Sequence, residues 1–279
     1  MKQHRYDQVD VFTAVPYLGN ALAVVHAADG LDDARMQAFA RWTNLSETTF
    51  LLAPTDPAAD YRVRIWTPRR ELPFAGHPTL GSCHAWLAAG GRPKGETVVQ
   101  ECGVGLVRIR RDGERLAFAA PPLRRSGPAD AATRARLARC LGIETAAIRA
   151  AEWVDNGPGW VAVLLGSRAE VLALRPDLGA MGELEVGVVA PWTDAAPGEP
   201  QFEVRAFVPS VGVGEDPVTG SLNAGLAQWL IGAGLAPPRY VASQGTVLGR
   251  AGRVHAERIG RDIWIGGASV TCIEGRVTL

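Results

Sequence analysis

No stretch of the sequence approaches the roughly 18 consecutive apolar residues that a bilayer-spanning helix needs, so the chain does not read as a membrane protein. Its first residues, Met1 to Gln8, include Lys2, His4, Arg5 and Asp7 and lack the apolar core of a secretory signal, which makes the cytoplasm the expected location. An excess of one charge is missing too. Lys plus Arg and Asp plus Glu stand at 29 each, which leaves no electrostatic footprint for nucleic acid or an anionic membrane. Cys83, Cys102, Cys140 and Cys272 have no C-x-x-C spacing, which argues against a zinc ribbon or a redox dithiol and leaves them as small hydrophobes expected in the core. His77 and His84 are spaced two turns along one helix face, but no third ligand accompanies them, so no metal is expected. Gly212 to Pro217 lacks the Lys and Ser/Thr of a phosphate-binding loop, and Cys102 to Arg108 ends in Arg where a dinucleotide fingerprint has Gly or Ala. Nucleotide cofactors are therefore not expected.

What the chain does have is apolar mass and an internal echo. With 47% hydrophobic residues over 279 positions it can bury a large core, and that length commonly divides into two domains. Gly76-His77-Pro78-Thr79-Leu80-Gly81-Ser82 and Glu215-Asp216-Pro217-Val218-Thr219-Gly220-Ser221 share a polar side chain, Pro, two residues, Gly and Ser, at an offset of 139. At the same offset Ala21 to Val25 falls on Trp160 to Leu164, while a Gln with Gly close behind recurs at Gln100 and Gln244, offset 144. These echoes predict two related halves, 1–125 and 126–279, with the C-terminal strand free to pack in the first.

Hydrophobic periodicity predicts strands at Gln8 to Thr13, Ala21 to Val25, Thr49 to Leu52 and Tyr61 to Trp66, and again from Val98 to Phe118 and from Arg250 to Ile265. Asp32 or Asp33 can cap a helix carrying Met36, Phe39 and Trp42. Pro78 and Gly90-Gly91 frame one helix that is sparse in charge, and Pro217 and Gly232 frame another. Such helices are buried on most faces. Strands wrapped round one apolar helix in each half make a rolled, barrel-like α+β unit.

The chemistry concentrates at those helix starts. A helix that begins in a cleft offers backbone N–H groups and the positive end of its dipole to a carboxylate, and two related halves are expected to bring two such starts to one cleft. His77 is a potential donor and Asp216 an acceptor, while Gly76, Gly81 and Gly220 permit close backbone approach. Asp before Pro is also a favoured N-cap, so Asp216 has a purely structural reading as well. Glu47 stands between an amphipathic helix and an apolar strand, where partial burial would raise its pKa and suit it to carry a proton; the same pattern fits a surface Glu at a strand entrance.

Asp10-Val11-Phe12-Thr13 through Gly19-Asn20, Asn44-Leu45-Ser46-Glu47-Thr48, Leu72 to Thr79, Gly214 to Ser221, and Gln244-Gly245 with Gly249-Arg250 together resemble the phenazine-biosynthesis PhzF-like isomerase family, in order and over nearly the whole chain. The resemblance implies the diaminopimelate epimerase-like fold, an α+β architecture of two pseudo-symmetric halves, each a β-barrel rolled around a central helix. It also implies a homodimer and a cofactor-independent isomerase that moves a proton on a small carboxylate-bearing substrate, a dihydroaromatic or cyclic amino acid. Glu47 matches the family's acid, and His77 and Asp216 match the polar pair that helps position the substrate and protons, so these three are the expected catalytic residues. Ser46, Gly76, Gly220 and Ser221 match the groups that hold the substrate, with Asn20 in the adjoining N-terminal motif. Epimerases and racemases of the same fold use two thiols at the helix starts, where this chain has His77 and Asp216, so that activity is the alternative, together with a non-catalytic binding member. Trp66, Trp153, Trp160 and Arg205 are candidates for selecting the substrate.

Overall fold

The computed structural model describes residues 2–212 and 214–279, and the chain divides into two compact units, Met1–Ala119 with Gly266–Leu279, and Ala120–Ile265. The first unit opens with β1 (Gln3–Val11), β2 (Asn20–Val25), α1 (Asp33–Thr43), β3 (Glu47–Leu52), β4 (Tyr61–Trp66), β5 (Glu71–Leu72), α2 (Gly76–Ala88), β6 (Val98–Cys102), β7 (Gly105–Asp112) and β8 (Arg115–Ala119). β2 runs antiparallel to β1 and parallel to β3, β4 is antiparallel to β3 and parallel to β6, and β6, β7 and β8 form a meander. A parallel step needs a crossover, which α1 supplies between β2 and β3, and α2 between β4 and β6. Asp32 caps α1 by accepting from Arg35 N at 2.8 Å.

α2 is the axis about which these strands roll. Every residue from Gly76 to Cys83 is buried, as its lack of charge requires, and β1, β2, β3, β6 and β8 all pack on it. Gly81 marks the closest approach: a Cβ there would lie 2.6 Å from Leu22 Cδ2 and 2.8 Å from Val11 Cγ2. Of the apolar residues expected on α1, Met36 and Phe39 are buried, whereas Trp42 is 79% exposed and stacks on Phe39 at 6.0 Å.

The second unit repeats the plan with β9 (Arg125–Pro128), α3 (Ala131–Leu141), β10 (Ala150–Asp155), β11 (Trp160–Leu164), α4 (Arg168–Ala173), α5 (Leu178–Met181), β12 (Glu185–Pro191), β13 (Phe202–Phe207), β14 (Glu215–Asp216), α6 (Gly220–Gly232), β15 (Arg239–Gln244), β16 (Gly252–Ile259) and β17 (Asp262–Gly267). β11 is antiparallel to β10 and parallel to β12, and β13 is antiparallel to β12 and β14 and parallel to β15, the same pattern as β1 to β6. The last strand, β18 (Ser269–Thr278), pairs antiparallel with β1, as β9 does with β10.

The repeat is real, but its register differs from the one that the sequence suggested. β5 and β14 are separated from α2 and α6 by the same three-residue gap, and Glu71, Leu72, Gly76, Gly81 and Gln100 correspond to Glu215, Asp216, Gly220, Gly225 and Gln244, an offset of 144. In the earlier strands Leu22 pairs with Glu47 and Trp160 with Glu185, an offset of 138. The 139-residue match of His77 with Asp216 is thus a coincidence of turn residues: His77 has Ser221 as its counterpart, and Asp216 has Leu72. Gly225 fits this register, because it too marks a close approach of helix to strand: a Cβ there would lie 2.2 Å from Val154 O, where Gly81 meets the side chains of Leu22 and Val11. It follows that Pro217 is not in the first turn of a helix, and that Asp216 is not an N-cap; the cap position of α6 is Thr219.

Candidate active site

In the first unit three side chains predicted from sequence meet at the ends of β2 and β3 and in the first turn of α2. Asn20 opens β2, Glu47 opens β3 and His77 is the second residue of α2. Asn20 and His77 are both 2% exposed, and the Glu47 side chain is 13% exposed, so the carboxylate retains a path to solvent that the imidazole lacks. Asn20 Nδ2 lies 3.2 Å from His77 Nδ1. An amide nitrogen can only donate, so Nδ1 accepts and the ring proton sits on Nε2. Burial pushes the His77 pKa down to about 3, leaving the imidazole neutral at pH 7.

His77 Nε2 is 3.4 Å from Glu47 Oε2. The contact is therefore a neutral N–H aimed at a carboxylate rather than an ion pair, longer than a formed hydrogen bond and short enough to close on a small side-chain rotation. Gly76, the first residue of α2, is buried beside it, and Ser46 stands half-buried immediately before Glu47. The helix is held from below: Thr79 Oγ1 accepts from Gln100 Nε2 at 3.0 Å, and Tyr61 OH donates to Gln100 Oε1 at 2.9 Å.

In the second unit Asp216, Gly220 and Ser221 lie on one short path, from β14 into the first turn of α6. Asp216 is 6% exposed and its Oδ2 accepts from Thr219 Oγ1 at 2.6 Å. Gln244 fixes the turn from three sides: Oε1 accepts from Thr219 N at 3.0 Å, and Nε2 donates to Asp216 O at 3.1 Å and to Thr219 Oγ1 at 2.9 Å. Trp160 Nε1 donates to Ser221 Oγ at 3.0 Å, and Asn156 Nδ2 donates to Ser221 O at 2.8 Å. With a lone pair of Ser221 Oγ occupied, its hydroxyl proton is directed elsewhere and can donate to a carboxylate.

Sequence reasoning missed Asn156, Thr219 and Gln100 as supports of the site. The recurrent Gln-with-Gly was the legible signal for the glutamines, and the corrected register shows that each pins the start of the central helix of its unit. Arg205 is 4% exposed, bidentate to Glu215 at 2.8 and 2.7 Å and bound to the carbonyls of Val171 and Leu174, so it braces β14. Trp66 is buried beneath the Arg64 guanidinium, 5.1 Å from the ring centroid. Cys83 and Cys140 are buried as expected, whereas Cys102 and Cys272 are half-buried. Burial pushes the Cys83 thiol up to about 12, so it supplies no thiolate at neutral pH. Among the described residues no helix is long and apolar enough to cross a membrane.

Two rolled units, each about one helix, define the diaminopimelate epimerase-like class. A hydroxyproline epimerase from Agrobacterium vitis has this fold, with a TM-score of 0.62 at 15% identity over 99% of this chain and 92% of that one. A phenazine biosynthesis protein of the PhzF family from Enterococcus faecalis is nearer, with a TM-score of 0.80 at 26% identity and full coverage of both chains. Residues 9–275 match the family described as "Phenazine biosynthesis-like protein", and the chain belongs to it. It is 35% identical to "Antisense-enhancing sequence 1" of Schizosaccharomyces pombe over 99% of both chains. It is also 34% identical to the trans-2,3-dihydro-3-hydroxyanthranilate isomerase of Pseudomonas aeruginosa over 99% of this chain and 100% of that protein.

Proposed function

We propose that this chain is an isomerase that moves a proton on a small carboxylate-bearing dihydroaromatic substrate by general acid–base catalysis, with no cofactor. The observation that carries the reading is the Asn20–His77–Glu47 line: an amide fixes the imidazole tautomer, and the imidazole presents a neutral N–H to a partly exposed carboxylate. Such a carboxylate can take a proton from one ring carbon while the double bond shifts, and return it at the far end of the shifted system. The His77 N–H steadies Glu47 without taking the proton itself, because a ring nitrogen with a pKa near 3 is too weak a base.

Asp216, Ser221 and Gly220 belong to the same reading as groups that hold and orient the substrate carboxylate and amine, together with Ser46 and Gly76. The support is that Asp216 and Ser221 are both locked by neighbours, which is how a binding group is preorganised. The relative's printed activity, isomerisation of trans-2,3-dihydro-3-hydroxyanthranilate, supplies the first substrate to offer. Epimerisation through thiols fits less well, because Cys83 is fully buried with its pKa raised and the helix starts carry His77 and Ser221.

The test is Glu47→Gln. The amide preserves size and removes the titrating carboxyl, so turnover should fall by roughly 100- to 10,000-fold while the circular dichroism spectrum stays that of the wild type. Wild-type turnover in the folded variant overturns the assignment.

A further inference from the structure

The corrected register of the internal repeat brings forward a second acid. Glu185 opens β12 as Glu47 opens β3, and each lies across a parallel ladder from the preceding strand, Glu47 opposite Leu22 and Glu185 opposite Trp160. The neighbours differ: Asn20 opens β2 and lies against the ring of His77, the second residue of α2, whereas Asn156 follows the end of β10 and donates to the backbone carbonyl of Ser221, the second residue of α6.

Glu185 is 2% exposed on a strand buried on both faces, with Gly187 and Val189 on its own face and Val186 and Val188 on the other. A carboxylate in such a place costs several kcal/mol of desolvation unless specific bonds offset it, and an aliphatic side chain would suit a purely structural position better. One bond it makes is to a particular segment: Ser210 Oγ donates to Glu185 Oε1. Ser210 sits in the single turn Pro209–Val211, between β13 and β14. Val208 N donates to Gly214 O at 3.2 Å across the base of that loop, after which Phe207 pairs with Glu215 and Ala206 with Asp216. The two-residue strand that carries Asp216 is therefore held on one side by the Arg205–Glu215 fork and on the approach by Glu185 through Ser210.

We propose that Glu185 is a positioning residue for Asp216, acting through Ser210 and the Val208–Gly214 hydrogen bond that leads into β14. The proposal rests on the reading of Asp216 as a substrate-orienting group. The same strand-start acid thus serves two ends: in the first unit it faces an imidazole, and in the second it anchors the loop that delivers an acid.

Ser210→Ala is the mildest probe, since Ser210 is half-buried and the change removes one hydroxyl. Amide hydrogen exchange over 208–216 should lose protection by about tenfold, the range of one hydrogen bond to a charged group, while exchange in β3 stays as in the wild type. The Asp216 carboxyl resonance in a carbon-13 NMR spectrum should move. With trans-2,3-dihydro-3-hydroxyanthranilate as substrate, kcat should fall about 10- to 100-fold with KM nearly constant, as for a small displacement of an orienting group. Ser210→Thr keeps the hydroxyl and should restore all three readouts, and Glu185→Gln keeps an acceptor oxygen but loses the charge and should fall between the wild type and Ser210→Ala. Unchanged exchange and an unmoved Asp216 resonance in Ser210→Ala overturn the proposal, as does loosened exchange with kcat intact. The exchange and resonance measurements need no turnover, so a wild type inactive on this substrate overturns the functional reading alone.

Discussion

His77 is neutral over the whole range in which an enzyme normally works, and that single fact shapes the chemistry open to its neighbours. Its pKa is about 3 in the fold against 6.5 in a free side chain, so the unfolded chain binds one more proton than the folded one between those values. The stability tied to His77 is complete above about pH 6.5 and declines as the pH falls towards 3, at up to about 1.4 kcal/mol per pH unit. His77→Asn should remove that slope, so urea unfolding of wild type and variant from pH 4 to 7 should show curves that converge towards acid; parallel curves would contradict the burial argument. By the same reasoning the pH profile of kcat/KM should carry no limb from His77 between pH 5 and 8. Glu47, His77 and Asp216 were singled out in the sequence by the ordered motifs around them, and the structure sets Glu47 3.4 Å from His77. Pattern alone left Glu47 as a surface acid and Asp216 as a helix cap. Proximity across 57 residues between Asn20 and His77 cannot be read from either end of the chain, because it depends on where β2 stops beside α2.

The elements were legible where one period dominates. Tyr61–Trp66 stands where alternation placed it, and α2 and α6 are the buried helices that their sparse charge implied. The start of α6 was not, because Pro217 reads as a first-turn residue although the chain makes a β14 pair with β13 and a turn before the helix begins. Glycine then distinguishes the two registers better than proline does. Gly225→Ala should destabilise the protein by about 1–3 kcal/mol or more, since its Cβ would meet the Val154 carbonyl at 2.2 Å and neither side is a flexible chain end. Gly232→Ala, at the exposed end of the same helix with nothing within 4 Å, should be neutral or stabilise by up to about 1 kcal/mol. Equal midpoints for the two variants in thermal unfolding would remove the packing argument for the 144-residue register.

At the scale of the whole chain, the same strand order appears in both units while their polar equipment differs: Asn20, His77 and Glu47 in one, Asn156, Ser221 and Glu185 in the other, with Asp216 added where the first unit has Leu72. Sequence self-similarity revealed that there were two units. It could not reveal that their registers diverge, from an offset of 138 at β2 and β3 to 141 at β4 and 144 at β5, since loop lengths leave no periodic trace. A carboxylate-based reaction should be indifferent to thiol reagents and chelators, so turnover should survive iodoacetamide, EDTA and exhaustive dialysis; loss on chelation that added metal reverses would refute a cofactor-free mechanism. Sedimentation tests whether the chain forms a homodimer: a dimer would run at twice 29.6 kDa and a monomer at 29.6 kDa. The central claim is that Glu47 carries the proton, and the most direct test is turnover of trans-2,3-dihydro-3-hydroxyanthranilate in heavy water by wild type and by Glu47→Gln, followed by mass spectrometry and NMR. The account predicts that deuterium enters wild-type product only at the carbon that receives the proton, in those turnovers in which the partly exposed Glu47 exchanges with solvent before returning it, and that the folded variant forms product at least about 100-fold more slowly. Product formed by Glu47→Gln at the wild-type rate with the same label would contradict it.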